Sequence, residues 1–157
     1  MRRTDREVTK TEEIAEIFHR AKIARIGFVD NGEVYIVPVN YGYEMTESGV
    51  RLYFHGAKAG RKYDLALDKP RVGFELDVDY ALVEGALACN YGARYASIIG
   101  NGTLSLVDDE AEAIHGLEVL MDAAAGPGNW EFDPAVLART AVFRLEVDTY
   151  FCKARRA

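Results

Sequence analysis

The sequence predicts a mainly β fold, a β-barrel with peripheral helices. Five or six segments have strand character, and tight-turn residues separate several of them. The helical patterns are few and peripheral, which favours antiparallel pairing over a wound parallel sheet. With 157 residues the chain fits one domain, spanning 1–157, whose charged ends at 1–8 and 153–157 we expect to be flexible.

The first predicted element is an amphipathic helix. Thr9 and Glu12 have the spacing of a capping box, in which two side chains bond free backbone N–H groups at a helix start. One helical stripe then carries the apolar residues Ile14, Ile17, Phe18 and Ala21.

Four strands are predicted in the first half of the chain. Segment 23–29 has strand character, and Asn31-Gly32 supplies the positive φ angles that a tight hairpin turn needs. The return strand is expected from residue 34 to about residue 43. Two further strands at 50–55 and 71–76 are expected on either side of a short helix near 61–67.

The second half begins with an irregular stretch at 77–94, for which we expect at most one turn of helix. A strand is predicted over 95–107, where Gly100 and Gly102 indicate a bulge or close packing. The remaining predicted elements are a helix capped by Asp108 and ended by Gly126, a short helix that begins at Asp133-Pro134, and a half-buried strand over 143–148.

Composition excludes several classes of function. The net charge of -6 argues against nucleic-acid binding, because a protein that tracks phosphates needs a broad basic face. No apolar run has the roughly 20 residues that a membrane span requires, and the charged N-terminal segment does not resemble a signal peptide, so we expect a cytoplasmic protein. His19 and His115 lack a second ligand at metal spacing, so no metal site is predicted.

A cluster of cations and glycines follows the strand at 50–55. Lys58, Arg61 and Lys62 alternate with Gly56 and Gly60 in an otherwise acidic chain. Glycine lets a backbone approach an anion closely, and fixed cations supply charge, so this loop is a candidate phosphate cradle. The alternative interpretation is a solvated basic turn. The glycine spacing of a Walker loop or a dinucleotide fingerprint is absent.

Four stretches in order resemble the flavin-binding split-barrel family of pyridoxamine 5'-phosphate oxidases, and in particular its nitroimidazole-resistance-like branch. The resemblance covers about residues 8 to 150. Its stretches are Arg25-Ile26-Gly27, Val37-Pro38-Val39-Asn40-Tyr41, the run from Leu52 to Lys62, and the run from Tyr95 to Gly102.

The resemblance implies a six-stranded antiparallel Greek-key split barrel that forms a homodimer, with one FMN in each of two grooves between subunits. Arg61 and Lys62 match the Arg-Lys pair that grips the FMN phosphate, and Lys58 lies where a further contact is expected. The oxidases proper have serine before that pair, whereas this chain has Gly60, so a hydroxyl donor is missing there.

The same resemblance assigns the remaining site residues. Val37, Pro38, Val39, Asn40 and Tyr41 match the strand whose main chain lies along the isoalloxazine ring, with Asn40 as a donor to its polar edge.

Ser97 matches a position that reaches the phosphate region, from one subunit or the other. His55 matches a histidine near the flavin and is the candidate proton donor, although a histidine at a strand end is often only structural.

The sequence therefore predicts an FMN-dependent oxidoreductase, with a nicotinamide electron donor and a small oxidised substrate such as a nitro-aromatic compound. The alternative is a protein of the same fold that binds or stores flavin, haem or deazaflavin without turnover. A visible spectrum and the mass of the released cofactor distinguish FMN from haem and deazaflavin. Turnover with a nicotinamide donor then separates an enzyme from a carrier.

Overall fold

The computed structural model describes residues 3–156, which form one seven-stranded antiparallel sheet with helices at its periphery. The strand order in the sheet is β2-β1-β5-β6-β7-β4-β3. In chain order the strands are β1 (Ala24–Asp30), β2 (Glu33–Val39), β3 (Gly42–Thr46), β4 (Gly49–Ala57), β5 (Arg71–Val83), β6 (Gly92–Leu106) and β7 (Thr140–Arg155).

Four α-helices lie between or before the strands. They are α1 (Thr11–Arg20), α2 (Arg61–Ala66), α3 (Glu110–Ala125) and α4 (Pro134–Leu137), with short 3₁₀ turns at Thr4–Arg6 and Ala88–Asn90. None of the helices within residues 3–156 is long and apolar enough to cross a membrane. The predicted mainly β class with peripheral helices is confirmed.

The sheet has seven strands where six were expected, because the predicted strand 34–43 is two strands. β2 pairs with β1 at one edge of the sheet, whereas β3 pairs with β4 at the other edge. The side chains of Asn40 and Tyr41 fix the corner between them by donating hydrogen bonds to the carbonyl oxygens of Lys22 and Phe18. Within the described residues β2 and β3 do not pair with each other, so the barrel stays open.

The stretch 77–94 is more regular than its sequence indicates. β5 continues to Val83, and β6 begins at Gly92, so the two strands form a long hairpin whose loop contains the 3₁₀ turn Ala88–Asn90. A register shift between Val78 and Ala81, where Asp79 has a φ of 64°, breaks the alternation of side chains. That bulge explains why the sequence shows no period there.

Other local predictions can be compared with the backbone directly. Asn31 and Gly32 have the expected positive φ angles of 52° and 85° between β1 and β2. Asp133 caps α4 as predicted, but α3 is capped by Asp109 in place of Asp108, and α1 has no side-chain cap. A second register shift lies between Asn101 and Gly102, as predicted from the glycines.

The main core lies between the inner face of the sheet and α1. Its fully buried side chains include Phe18, Phe28, Leu52, Phe54 and Phe143. A smaller cluster lies on the opposite face of β4, where Tyr53 packs with Leu117 and Val142 beneath α3. Successive residues of a strand point to opposite faces. His55 therefore shares the α3 face of β4 with Tyr53, and Phe54 lies on the core face.

The chain ends are structured over most of their predicted flexible ranges. Glu7 forms a β-bridge with Lys153, and β7 continues to Arg155, because the backbone of the last strand has partners on β6. Glu7 and residues 153–155 thus have backbone partners in the sheet, and flexibility of the ends at 1–8 and 153–157 stays a prediction. Residues 1, 2 and 157 lie outside the described range.

Candidate functional site

Lys62 is the half-buried cation of the loop, and no acidic side chain among the described residues pairs with it. Its ammonium group donates a hydrogen bond to the carbonyl oxygen of His55 at 3.2 Å. It also lies 4.8 Å from the ring centroid of Phe143 and 5.5 Å from that of Phe54. Partial burial lowers the pKa of Lys62 below its usual value. A half-buried ammonium without a carboxylate is suited to bind an anion.

Gly56 leaves the space that Lys62 occupies. A Cβ atom at this position would lie 2.9 Å from Lys62 Nζ, closer than real Cβ contacts. Gly60 directly precedes α2 with a φ of 95°, a conformation that side chains disfavour, and within residues 3–156 only its own chain neighbours come within 4 Å of its ideal Cβ position. The two glycines thus have distinct roles, one making room for the cation and the other turning the chain into α2.

Arg61 lies on the β1–β2 hairpin. Its Nε donates to Asp30 Oδ2 at 2.8 Å, and its guanidinium carbon stands 4.5 Å from the ring centroid of Tyr35. Arg61 therefore contacts the β1–β2 hairpin, whereas Lys62 contacts β4. Asp30 and Tyr35 carried no motif, so their association with the loop was not visible in the sequence.

Lys58 takes a third direction. Its ammonium donates to the carbonyl oxygen of Ala138 at 2.7 Å, and it lines a cavity of about 410 Å³ with Tyr63 and Leu106. The three cations predicted to bind one phosphate are thus spread over separate contacts in this structure. Of the three, Lys62 alone combines partial burial with the absence of a polar side-chain partner in the described chain.

His55 connects the cationic loop with an apolar cavity. Its main-chain oxygen accepts the bond from Lys62, and its side chain lines a cavity of about 290 Å³ beneath α3 and α4. We name this space the His55 cavity. Its other lining residues are Leu117, Leu120, Met121, Glu131, Phe132, Asp133, Val136, Leu137 and Thr140.

Two effects lower the pKa of His55 below its usual value. Partial burial of the ring is the larger cause, and the positive charge of Lys62 is the smaller one. Both effects disfavour the imidazolium form. At neutral pH the ring is therefore mainly neutral and carries one N–H donor and one acceptor nitrogen.

The predicted ring-binding segment is part of the edge strand β2. Val37 is half-buried on the inner face and Pro38 is exposed, while Val39 is buried. Since β2 pairs only with β1, its outer backbone groups have no sheet partner among residues 3–156. The free backbone N–H and C=O groups of this segment can therefore form hydrogen bonds with the polar edge of a planar ring, as the resemblance implies.

The side chains of Asn40 and Tyr41 have structural partners. Asn40 Nδ2 donates to the carbonyl oxygen of Lys22 at 3.0 Å. Tyr41 is buried, its hydroxyl donates to the carbonyl oxygen of Phe18 at 2.7 Å, and burial raises its pKa. Ligand contacts from these two positions would thus come from the main chain, unless Asn40 exchanges its partner.

Ser97 lies in β6, in the half of the strand that precedes the bulge at Asn101 and Gly102. It pairs with Asp77 and Lys153, nine residues along β6 from Leu106, which borders the Lys58 cavity. At ~3.3 Å per residue this separation is about 30 Å along the strand. A contact between Ser97 and a bound phosphate stays a prediction.

The residues present fit an anionic group attached to a planar ring. The donor set at the loop is a half-buried ammonium, seated against Gly56 without a competing carboxylate in the described range. The neighbouring β2 edge and the His55 cavity offer backbone polar groups and apolar surface. No three His, Cys, Asp or Glu side chains in the part described lie together as a metal site would require.

An open antiparallel sheet with a half-buried lysine at one strand end is compatible with proteins that bind a phosphate-bearing ring compound. The chain belongs to the pyridoxamine 5'-phosphate oxidase family, whose model matches residues 10–154. This match confirms the family resemblance found in the sequence. No curated protein matches the chain.

Several solved structures share the fold. A candidate 5-nitroimidazole antibiotic resistance protein from Bacteroides thetaiotaomicron is 23% identical with a TM-score of 0.80, over 94% of this chain and 86% of that one. The flavocytochrome Anf3 from Azotobacter vinelandii is 22% identical with a TM-score of 0.82, over 100% and 72%. An FAD- and haem-binding protein from Mycobacterium smegmatis is 18% identical with a TM-score of 0.84, over 97% and 74%.

Proposed function

We propose that this protein is an FMN-dependent oxidoreductase that reduces a small oxidised substrate such as a nitro-aromatic compound. The observation that carries the proposal is the double role of His55, whose carbonyl oxygen holds Lys62 and whose ring lines the apolar cavity. A cofactor phosphate at Lys62 would lie at the same end of β4 as His55, whose ring lines a cavity of substrate size on the opposite face of the strand. Family membership and similarity to flavin-binding proteins support the choice of a flavin.

The residues have separate tasks in this proposal. Lys62, assisted by Arg61, holds the phosphate, and the main chain of 37–41 orients the ring along the β2 edge. A bound flavin supplies an acceptor and donor of hydride, and a nicotinamide cofactor is the proposed source of electrons. His55 in its imidazolium form gives one proton to the substrate as the substrate accepts hydride, and the neutral ring that results takes up a proton from water before the next turnover.

The proposed assembly is a homodimer with the site completed by the second subunit. Ser97 lies nine residues along β6 from Leu106, which borders the Lys58 cavity, so the proposal assigns the Ser97 contact with the phosphate to the partner subunit. The exposed apolar side chains of the β5–β6 hairpin, Tyr80, Leu82, Leu87 and Tyr91, also favour burial against another surface.

Replacement of Lys62 tests the phosphate site. Lys62→Met should weaken FMN binding about tenfold to a hundredfold, since a charge-assisted hydrogen bond contributes about 1.5 to 3 kcal/mol. Lys69→Met, an exposed position just beyond α2, makes the same change in charge and should leave affinity unchanged. Equal affinity of both variants for FMN, measured by fluorescence quenching, would remove Lys62 from the site.

The identity of the cofactor needs a direct measurement. The visible spectrum of the purified protein, with the mass of the molecule released on denaturation, should show FMN. Release of haem or deazaflavin, or absence of turnover with a nicotinamide donor, would instead favour the alternative of a binding or storage protein. One similar structure is that of an FAD- and haem-binding protein and another is that of a flavocytochrome, so the spectrum has to distinguish flavin from haem.

A further inference from the structure

We propose that the His55 cavity binds the ring of an uncharged aromatic substrate and excludes anionic substrates. The inference rests on the proposed function, which it extends from the flavin to the choice of substrate. The cavity is bounded by β4, α3, the segment before α4, and α4 itself.

The size and lining of the cavity favour a small apolar ring. Its volume of about 290 Å³ lies at the lower end of the roughly 300 to 1,000 Å³ found for small-molecule sites. Most of its wall is apolar, formed by Leu117, Leu120, Met121, Phe132, Val136 and Leu137. Two of these residues, Leu117 and Leu120, are buried in the fold and give the cavity a rigid inner wall.

The charges at the cavity are negative. Glu131 and Asp133 line it, and no lysine or arginine does so within the described residues. The carboxylate of Asp133 is fixed in place, because it accepts hydrogen bonds from the backbone N–H groups of Ala135 and Val136. An anionic substituent would meet two like charges, and no lysine or arginine among the lining residues would contact it.

The remaining polar groups suit an uncharged ligand. His55, mainly neutral at pH 7, can donate one N–H to a nitro or carbonyl oxygen. The Thr140 hydroxyl already donates to the carbonyl oxygen of Val136 at 2.8 Å. The nearest cation of the loop, Lys62, bonds the main chain of His55 on the other side of β4 and does not line the cavity.

Trp130 provides a way to measure binding without turnover. It is the single tryptophan of the chain and directly precedes the lining residues Glu131 and Phe132. Its indole N–H donates to Asp122 Oδ1 at 2.7 Å, which fixes the ring close to the end of α3. A nitro-aromatic ligand in the cavity should therefore quench its fluorescence.

The experiment compares 4-nitrobenzyl alcohol with 4-nitrophenyl phosphate, which carry the same nitroaryl ring with different charge. Both are titrated into the purified protein with its cofactor as isolated, without an electron donor, and absorption by the ligands is corrected. The neutral compound should quench Trp130 with at least tenfold higher affinity. Equal affinities, preference for the phosphate, or no saturable quenching would overturn the proposal.

Charge reversal at the rim provides the second test. Glu131→Lys should raise the affinity for 4-nitrophenyl phosphate at least tenfold and change that for the alcohol by less than threefold. Glu47→Lys, in the exposed turn between β3 and β4, makes the same change in charge and should not alter the preference. An unchanged preference in Glu131→Lys, with the protein folded by circular dichroism, would contradict the role of the cavity charge.

The outcomes separate this inference from the flavin proposal. If FMN affinity responds to Lys62→Met but the cavity shows no charge preference, the substrate inference fails and the flavin site stands. If the charge preference is found but no flavin binds, the cavity stands and the proposed chemistry fails. Trp130 fluorescence that changes with protein concentration alone, and not with the ring compounds, would assign the cavity to a second copy of the chain and overturn the inference.

Discussion

Arg61 and Asp30 form an ion pair that joins the cationic loop to the β1–β2 hairpin. Arg61 Nε lies 2.8 Å from Asp30 Oδ2, and the guanidinium also stacks near Tyr35. An anion that recruits Arg61 must therefore compete with a carboxylate, whereas Lys62 has no such competitor in the described chain. Of the two adjacent cations, Lys62 can therefore bind a phosphate without first giving up a carboxylate partner, whereas Arg61 cannot.

Removal of the competing charge should strengthen cofactor binding. Asp30→Asn is expected to tighten FMN binding by about 1.4- to fivefold, since an exposed ion pair contributes about 0.2 to 1 kcal/mol. Glu33→Gln removes an exposed carboxylate from the same hairpin and serves as the control in fluorescence titrations. Weaker binding in Asp30→Asn would show that Asp30 positions Arg61 for the phosphate.

His55 is expected to transfer a proton in the proposed reaction. His55→Gln should keep FMN affinity within a small factor and slow reoxidation of the reduced flavin by a nitro-aromatic compound about 10²-fold. Stopped-flow single turnovers separate this step from flavin binding. A rate equal to that of the unmodified protein, in folded and FMN-loaded variant, would exclude the role.

The same residue should make stability depend on pH. The pKa of His55 in the folded protein lies below its usual 6.5, so the unfolded chain takes up the proton first as pH falls. The contribution of neutral His55 is present above pH 6.5 and is lost as pH falls below it. Urea unfolding at pH 7 and at pH 5 should show a smaller loss for His55→Gln than for the unmodified protein, and an equal loss would contradict this linkage.

The proposed dimer should depend on the outer face of the sheet. Ile99 and Phe151 are exposed cross-strand neighbours there, with accessible fractions of 52% and 48%. Ile99→Glu should weaken association at least tenfold in sedimentation experiments, because a carboxylate would be buried at the interface. Leu67→Glu, at the exposed end of α2, is the control. A monomer of the unmodified protein at low micromolar concentration would refute the dimer.

Gly42 should be intolerant of any side chain. A Cβ atom there would lie 2.4 Å from the backbone oxygen of Val119 on α3, which cannot rotate away. Gly42→Ala should therefore lower the free energy of unfolding by about 1 to 3 kcal/mol, the usual cost of overpacking. A Cβ atom at Gly27 would lie 3.8 Å from its nearest atom, which is an ordinary contact. Gly27→Ala should therefore change the free energy of unfolding little. Similar thermal midpoints for both variants would contradict this close contact.

The sequence predicted best where a short segment determines its own conformation. The Asn31-Gly32 turn, the Asp133 cap and the glycine-associated irregularity near Gly102 all depend on neighbours in sequence, and all are present. The division of 34–43 was missed because both halves have β-rich composition. Only pairing with opposite edges of the sheet separates β2 from β3.

The site was predicted less completely because its parts come from distant segments. The loop with Lys62 carried a local signal, but Asp30 is an ordinary turn residue until the fold brings Arg61 beside it. The walls of the His55 cavity come largely from α3, α4 and the segment between them. In the sequence, the apolar residues of these segments are equally compatible with an ordinary hydrophobic core. Sequence spacing contains no information on such long-range contacts.

The order of strands has a consequence for synthesis of the protein. β7 alone joins β6, and with it β5, β1 and β2, to the pair β4–β3 within the described sheet. Because β7 is the last of these strands in the chain, a ribosome must release residues 140–155 before the two parts can unite. Until then β6 and β4 each present an unpaired edge. We therefore expect the nascent chain to be prone to aggregation at these edges until β7 is available, and chaperones would have to protect them.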